Sequence, residues 1–326
     1  MTKQKREQAG ILAAVTGGFE VVTAHLWLVL IPVVLDVFYW IGPRLTAPTL
    51  ILDLVRRVEE AGAMSEMSRQ LAEVAPHTNL ATALSVPYLG VPGLMAGFIM
   101  PSQTPVEPLA LELRSPLQWL LWFGGLSVAG LLLAGIYYGL VARTVRMATA
   151  TEDGVSERDW AGFLRRLPRY SLRMLGLAGS FIVALIALYL PLLCVATVAA
   201  FLSPTLVFLV TLVGLTLVLW LSFYLGFSVH GIMLCDRPVL WAMLDSVRLV
   251  QRYWLQALLL FVSVLATRNV LAWLWLWVDN GSWLTLVSIA GYAFINTALI
   301  AAMFIFYRDR VQTAEWRVGR HAEATG

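Results

Sequence analysis

The stretch LATRNVLAWLWLWVDN, residues 265–280, decides which class of fold the rest of the chain must have. It is almost wholly apolar, yet it carries the charged Arg268 and the polar Asn269 in its first half. An apolar run of about 20 residues can cross the roughly 30 Å hydrocarbon core of a bilayer. We therefore interpret residues 256–278 as a membrane span in which Arg268 and Asn269 require protein or water around them.

The composition of the whole chain favours the same class of protein. Of its 326 residues, 59% are hydrophobic and only 13% are charged, whereas roughly a quarter are charged in typical soluble domains. The net charge of +3 is too small to favour nucleic acid as a partner, so the lipid bilayer is the expected one. A segment in lipid must supply hydrogen-bond partners for its own backbone N–H and C=O groups, and an α-helix does so within itself. The composition therefore predicts an all-α integral membrane protein.

Six stretches are long enough to span and predict a six-span helical bundle formed by a single polytopic domain, residues 1–326. These stretches are 21–42, 117–142, 174–202, 205–234, 256–278 and 283–307. The basic N-terminus before the first stretch resembles a signal peptide. No small-x-small cleavage motif follows Leu35, so we expect this segment to be retained as the first span.

A seventh apolar stretch, LATALSVPYLGVPGLMAGFIM at residues 80–100, is interrupted by prolines and glycines. So many helix-breaking residues argue against a straight, lipid-facing helix. Two interpretations stay open for it. It is either a re-entrant segment that gates the outer side of the bundle, or an interfacial segment packed on the outer surface.

The distribution of basic residues predicts the orientation in the membrane. With six spans and both termini in the cytoplasm, 17 of the 23 basic residues fall on the cytoplasmic side, as the positive-inside rule requires. A seventh crossing at 80–100 would move the arginine-rich loop 143–173 outside. The excess of arginine over lysine is typical of a GC-rich bacterium, so we expect the bacterial cytoplasmic membrane.

The predicted connection between spans one and two, residues 43–116, is the one long extracytoplasmic region. Within it, residues 49–75 combine mixed charge with recurring apolar positions, which predicts one or two amphipathic helices.

Three segments with helical amphipathic spacing precede the first, third and fifth spans. They are GFEVVTAHLWLVL (18–30), FLRRLPRYSLRML (163–175) and RPVLWAMLDSVRLVQRYWLQ (237–256). A helix that is basic on one face and carries tryptophan on another suits the cytoplasmic interface. The hypothesis is a fold of three repeated units, each an interfacial helix followed by two spans.

The stretch GIMLCDRPVLWAMLDSVRLVQRYWLQALLLF at residues 231–261 contains an acidic-basic turn at Asp236-Arg237, followed by Ala242, Ser246 and Trp254 along one helix. This pattern resembles the membrane domain of bacterial glycerophosphoryl diester phosphodiesterases and related six-span membrane proteins. The resemblance covers about a third of the chain and implies a membrane fold only. In that family the phosphodiesterase activity belongs to a separate soluble barrel, so we do not expect that activity from this chain.

The candidate site is an intramembrane polar cluster. Span five places Arg268 about 18 Å from its inner end, and span one places Asp36 about 22 Å from its own. Opposite charges at similar depth predict an Asp36–Arg268 ion pair, with Asn269 and Asn296 as hydrogen-bond partners. The pair either fixes the packing of the helices or lines an ion or substrate pathway.

Catalytic and metal-binding patterns are missing from the sequence. The four histidines are scattered without a ligand spacing, and no phosphate loop, nucleophile elbow or pair of carboxylates lies within a span. We therefore expect no enzyme activity, no cofactor and no metal. Cys194 and Cys235 lie in different segments, and the sequence gives no disulfide framework for them.

Two functional hypotheses remain from the sequence. The first is a non-catalytic multi-pass membrane protein, a scaffold or envelope-associated factor, for which protein partners or a homo-oligomer stay open. The second is a transporter or permease component with a polar site near Arg268.

Overall fold

The computed structural model describes residues 10–60, 65–97, 103–148, 160–275, 277–278 and 281–324, and 82% of the structure is helical. The α-helices are α1 (Ile11–Ala24), α2 (Leu30–Ile41), α3 (Pro48–Glu60), α4 (Ser65–Val74), α5 (Pro116–Met147), α6 (Trp160–Leu202), α7 (Pro204–Leu225), α8 (Ser228–Cys235), α9 (Val239–Arg252), α10 (Trp254–Trp275) and α11 (Thr285–Ala324).

Within the described residues, five helical stretches are long and apolar enough to cross a membrane. They are Pro116–Met147, Trp160–Leu202, Pro204–Cys235, Trp254–Trp275 and Thr285–Val311. They overlap the five predicted spans from 117–142 to 283–307, although most of the helices extend beyond the predicted bounds. An α-helical, multi-pass membrane protein is thus the architecture of this chain.

The first predicted span, 21–42, is not one continuous helix. Ile11–Ala24 and Leu26–Ile41 form a bent pair that meets at 94° next to His25, and Leu26–Val29 is a 3-10 turn. Pro32 lies in the first turn of α2. Because proline lacks an N–H and its ring clashes with the carbonyl four residues earlier, Pro32 interrupts α-helical bonding at Leu28, within the 3-10 turn that follows the bend.

The segments predicted to precede the third and fifth spans differ from each other in structure. Residues 163–175 are the first part of the continuous 43-residue helix α6 and do not form a helix of their own. Residues 237–256 are divided between α9 and α10, which are separated at Tyr253. The three predicted units therefore have unequal helix boundaries.

The described residues also contain one short β-sheet. Strand β1 (Arg44–Thr46) pairs in parallel with β2 (Ala110–Glu112), and Leu45 is opposite Leu111. Both strands lie in the predicted extracytoplasmic region, 43–116. Helices α3 and α4 overlap residues 49–75, for which one or two amphipathic helices were predicted. Strands of three residues are too short to show the alternation of apolar and polar residues from which a strand is predicted.

The chain divides into two compact units. The first unit contains Met1–Val21, Tyr138–Val264 and Ile300–Gly326. Its core is aromatic: the rings of His230 and Phe304 lie 4.4 Å apart between centroids, and those of Phe227 and Phe306 lie 5.7 Å apart. The Ser246 hydroxyl on α9 accepts the N–H of Phe227 at 3.1 Å and so joins α9 to the start of α8.

The second unit contains Val22–Tyr137 and Leu265–Leu299. Leu45, Ala47, Leu80 and Leu113 form a buried cluster around the short sheet. Nearby in the sequence of α2, the side chains of Tyr39 and Trp40 are fully buried. All four residues of the predicted polar cluster belong to this unit.

Candidate functional site

Three of the four predicted site residues are buried or half-buried in the second unit. Asp36 on α2 is fully buried, Asn296 on α11 is 3% exposed, and Arg268 on α10 is half-buried. Asn269, next to Arg268 on α10, is exposed on the helix surface. The cluster therefore contains Asp36, Arg268 and Asn296, whereas Asn269 lies outside it.

The carboxylate of Asp36 is held by backbone and not by a cation. One oxygen accepts the N–H of Leu94 at 2.7 Å, and the other accepts the N–H of Met95 at 2.9 Å. Both donors belong to residues 80–100, the apolar stretch that is interrupted by prolines and glycines. Buried backbone N–H groups outside a helix need such partners, and bonds to an ionised acceptor are the stronger kind.

Gly93 makes this contact between α2 and the irregular chain achievable. A Cβ atom at position 93 would collide with the Asp36 carboxylate. Only a residue without a side chain lets the backbone come close enough to donate to both carboxylate oxygens. The glycine that weakens a helix in this stretch is therefore required by the packing.

A second contact fixes the same stretch to α2. The Tyr39 hydroxyl lies 3.0 Å from the Ser85 hydroxyl, and Ser85 donates to the carbonyl of Val91 at 2.9 Å. Asp36 and Tyr39 are three residues apart and therefore share one face of α2. This face holds the irregular chain at two points, near Ser85 and at Leu94–Met95.

The described part of the stretch, residues 80–97, contains no α-helix. A 3-10 helix covers Leu80–Leu84, and Tyr88 has a positive φ of 65° in the turn that follows. The side chain of Asn79 caps the 3-10 helix by accepting the N–H of Ala81 at 3.0 Å, and it also accepts the N–H of Leu45 at 3.1 Å. Asn79 thus joins the irregular stretch to β1.

Helix α5 also approaches this stretch closely. A Cβ atom at Gly130 would collide with the carbonyl group of Leu84. Protein therefore covers the 3-10 helix from the side of α5, in agreement with the burial of Leu80, Ala81 and Thr82. Residues 98–100 of the predicted stretch lie outside the described residues.

Arg268 binds a neighbouring helix instead of Asp36. Its Nε–H donates to the hydroxyl of Tyr292 on α11 at 3.2 Å. Arg268 and Asp36 attract each other electrostatically, but they do not form the direct ion pair predicted from their similar depths. The physical reason is that both carboxylate oxygens already have backbone donors, and the guanidinium has a hydroxyl acceptor nearer to it.

Asn296 supports the Arg268 partner from within α11. Its amide donates to the carbonyl of Tyr292 at 2.9 Å. One residue further along, Thr297 accepts a hydrogen bond from Tyr137 of α5 at 2.9 Å. Tyr292 also packs its ring edge-on against Trp275 of α10, with 5.8 Å between centroids. Polar and aromatic contacts together tie α10 and α5 to α11.

The side-chain amide of Asn269 forms its hydrogen bond within its own helix. The side chain donates to the carbonyl of Leu265 at 2.7 Å. Leu265 and Val270 beside it are also exposed, so Asn269 lies on an apolar surface of α10. Its expected role as a partner for Asp36 and Arg268 is not seen in this arrangement.

Sequence reasoning missed four residues of the cluster: Tyr39, Ser85, Gly93 and Tyr292. A signal for two of them was present, since Tyr39 lies three residues after Asp36 and Tyr292 lies four residues before Asn296. Both spacings place side chains on the same helix face. Ser85 and Gly93 carried no such signal, because irregular chain has no periodicity.

The described residues hold no group of three or more His, Cys, Asp or Glu side chains suited to a metal ion. Compared with models of known protein families, with curated proteins and with solved structures, the chain matches none of them. What the site can do must therefore be inferred from its own geometry. Chemically, it comprises two sets of hydrogen bonds: one joins α2 to the irregular chain, and the other joins α10 to α11.

Proposed function

We propose that this chain is a non-catalytic multi-pass membrane protein that acts as a scaffold or envelope-associated factor. The observation that carries the proposal is the use of the polar cluster for internal bonds. Asp36 accepts from the backbone of Leu94 and Met95, and Arg268 donates to Tyr292. Each of these groups binds another part of the same chain.

A transport site would need polar groups that exchange partners with a passing solute. Two short hydrogen bonds to backbone hold the Asp36 carboxylate in one position, and the fully buried side chain is remote from water. Removing a charge of this kind from its partners strands it in a medium of low polarity. The cluster is better suited to fixing helix positions than to binding and releasing a ligand.

The proposal includes six membrane crossings, with the bent pair Ile11–Ala24 and Leu26–Ile41 acting as the first. Both termini lie in the cytoplasm, and the membrane is that of a bacterium. The excess of arginine in 143–173 and at the C-terminus supports this orientation through the positive-inside rule. Three helix-plus-hairpin units, and kinship with the membrane domain of the phosphodiesterases, are parts of the same proposal.

The second candidate function is a transporter or permease component. One observation favours it: an irregular stretch of chain, residues 85–97, lies directly against a buried carboxylate, and Arg268 near that carboxylate is only half-buried. Interrupted backbone beside charged groups is typical of substrate sites in transporters. This alternative requires water to reach Arg268.

Access of water to α10 distinguishes the two functions. In a Cys194→Ser, Cys235→Ser background, single variants Arg268→Cys and Asn269→Cys would be treated with a membrane-impermeant thiol reagent, and Ala110→Cys would serve as the positive control. The scaffold function predicts labelling of position 110 only. Labelling of position 268 or 269 from outside would overturn it in favour of the transporter.

A further inference from the structure

Helix α9 of the first unit occupies a position between two consecutive candidate spans. One ends at Cys235 and the next begins at Trp254. A chain that leaves the membrane after one span and re-enters with the next must place the connection on one side of the bilayer. Residues 236–253, which include all of α9, therefore lie at a single membrane face.

The two faces of α9 have different surroundings. Ala242, Ser246, Leu249 and Val250 are buried against the protein. The opposite face is exposed and combines large apolar side chains with basic ones: Leu240 is 70% exposed, Trp241 55% and Leu244 46%, and Arg248 and Arg252 are exposed beside them. An exposed tryptophan with two leucines is poorly matched to water alone.

The acidic groups near this face leave it with a net positive charge. Asp245 lies 3.5 Å from both Arg237 and Arg248. One carboxylate is thus shared by two guanidinium groups, and Arg252 lies one helical turn beyond Arg248. Shared surface pairs of this kind neutralise only part of the positive charge.

The N-terminal part of α6 continues the same surface. Asp236, which precedes α9, pairs with Arg173 and lies 3.3 Å from Arg169. A Cβ atom at Gly176 of α6 would lie 3.3 Å from the side chain of Val239 of α9, so the two helices adjoin. The exposed residues of this part of α6 again include both apolar and basic side chains: Leu164, Arg165, Arg166, Arg169 and Leu172.

A ligand for this surface must offer a negative charge and an apolar body together. We propose that the exposed faces of α9 and of the N-terminal part of α6 bind anionic phospholipids, with headgroup phosphates at the arginines and acyl chains beside Trp241 and Leu244. Amphipathic helices with basic and tryptophan-bearing faces lie in the interface in this manner. Basic side chains next to spans attract anionic headgroups. The name anionic-lipid surface is used below for these two faces.

This inference rests on insertion of the chain into a membrane, as in the proposed function, but not on a scaffold role. A transporter with the same fold would carry the same surface. The experiment below measures lipid preference alone, so its outcome is separate from the labelling of positions 268 and 269.

The test uses the purified full-length chain, equilibrated with equal amounts of phosphatidylglycerol and phosphatidylcholine, and counts bound lipids by native mass spectrometry. The wild type should retain phosphatidylglycerol in preference, and the preference should fall with added salt because exposed charges are screened. The double variant Arg248→Gln, Arg252→Gln should reduce the preference about fivefold for each arginine removed, the size expected for one basic side chain near an anionic surface.

A matched pair of arginines provides the control. Arg56 and Arg57 on α3 are exposed, and their double substitution by glutamine removes the same charge outside the anionic-lipid surface. It should leave the lipid preference unchanged. Arg248→Lys, Arg252→Lys should retain most of the preference, since the charge remains. Equal preference for the two lipids in the wild type, or equal losses in the Arg248/Arg252 and Arg56/Arg57 variants, would overturn the proposal.

Discussion

Asp36 accepts the backbone N–H of Leu94 at 2.7 Å, so a charged side chain on a helix serves as the partner of chain that forms no helix. The same carboxylate also accepts from Met95. Buried irregular backbone is costly unless its donors are satisfied. A carboxylate has two acceptor oxygens and can accept hydrogen bonds from two donors. This explains why an ionisable residue is present in the interior of the second unit.

Replacement of Asp36 by alanine should therefore destabilise the protein strongly. Two buried N–H groups would lose their acceptor, at a cost of about 1–3 kcal/mol each. Thermal unfolding of the purified chain in detergent measures the effect as a lower midpoint. Asp36→Asn retains one acceptor oxygen, so its loss should be smaller than that of Asp36→Ala.

Asp53→Asn on α3 is the control for this prediction, since Asp53 is exposed and lies 3.8 Å from Arg56. An exposed pair of this kind contributes little, about 0–1 kcal/mol. Equal midpoints for the Asp36 and Asp53 variants would contradict a structural role for the buried carboxylate.

Gly93→Ala should lower stability for a related reason. The new Cβ would occupy the space of the Asp36 carboxylate, and it would either displace the carboxylate or push the chain away from α2. Overpacking of a buried site costs typically about 1–3 kcal/mol. The measurement is again the midpoint of thermal unfolding, together with the yield of monodisperse protein.

Gly124→Ala offers a matched glycine on α5 at which a Cβ would meet no atom within 4 Å. Alanine is favoured over glycine in a helix by roughly 1 kcal/mol, so this variant should be neutral or slightly more stable. If both alanine variants behaved alike, the close approach of Gly93 to Asp36 would not matter for stability.

The orientation in the membrane gives a prediction that depends on sequence charge and on two exposed positions. In intact cells and a Cys194→Ser, Cys235→Ser background, Ala110→Cys on β2 should react with an impermeant thiol reagent, and Arg166→Cys on α6 should react only after the membrane is opened. The opposite pattern would reverse the topology, and reaction of both from outside would refute it.

The long helices could be predicted from the sequence because lipid imposes one requirement on every span. Apolar runs of about 20 residues are conspicuous, and α5, α6, α7, α10 and α11 each overlap a predicted span. The break between α1 and α2 was less visible. Pro32 lies seven residues after the break at His25, and the apolar character continues through Ala24 and Leu26, so hydropathy alone indicated one span.

Only part of the membership of the polar cluster could be predicted. Asp36, Arg268 and Asn296 were recognisable as expensive residues in apolar surroundings. Their partners could not be predicted, because an argument from similar depth in the membrane assumes that opposite charges form an ion pair. Here backbone donors from Leu94 and Met95 compete for Asp36. Their position depends on tertiary packing of residues 85–97, for which the sequence shows irregularity without showing where the chain lies.

The bond between Arg268 and Tyr292 should couple α10 to α11 measurably. A double-mutant cycle with Arg268→Met and Tyr292→Phe removes the donor, the acceptor hydroxyl and then both. Side-chain hydrogen bonds between membrane helices average about 0.6 kcal/mol and reach about 1.7 kcal/mol. Because the donor is charged, we expect a coupling near the upper part of that range, measured as differences in unfolding free energy.

Asn269→Leu combined with Tyr292→Phe is the matched control, since Asn269 bonds to Leu265 of its own helix, and this pair should show additive effects. Additivity in the Arg268–Tyr292 cycle as well would mean that the arginine is held by something other than the tyrosine hydroxyl.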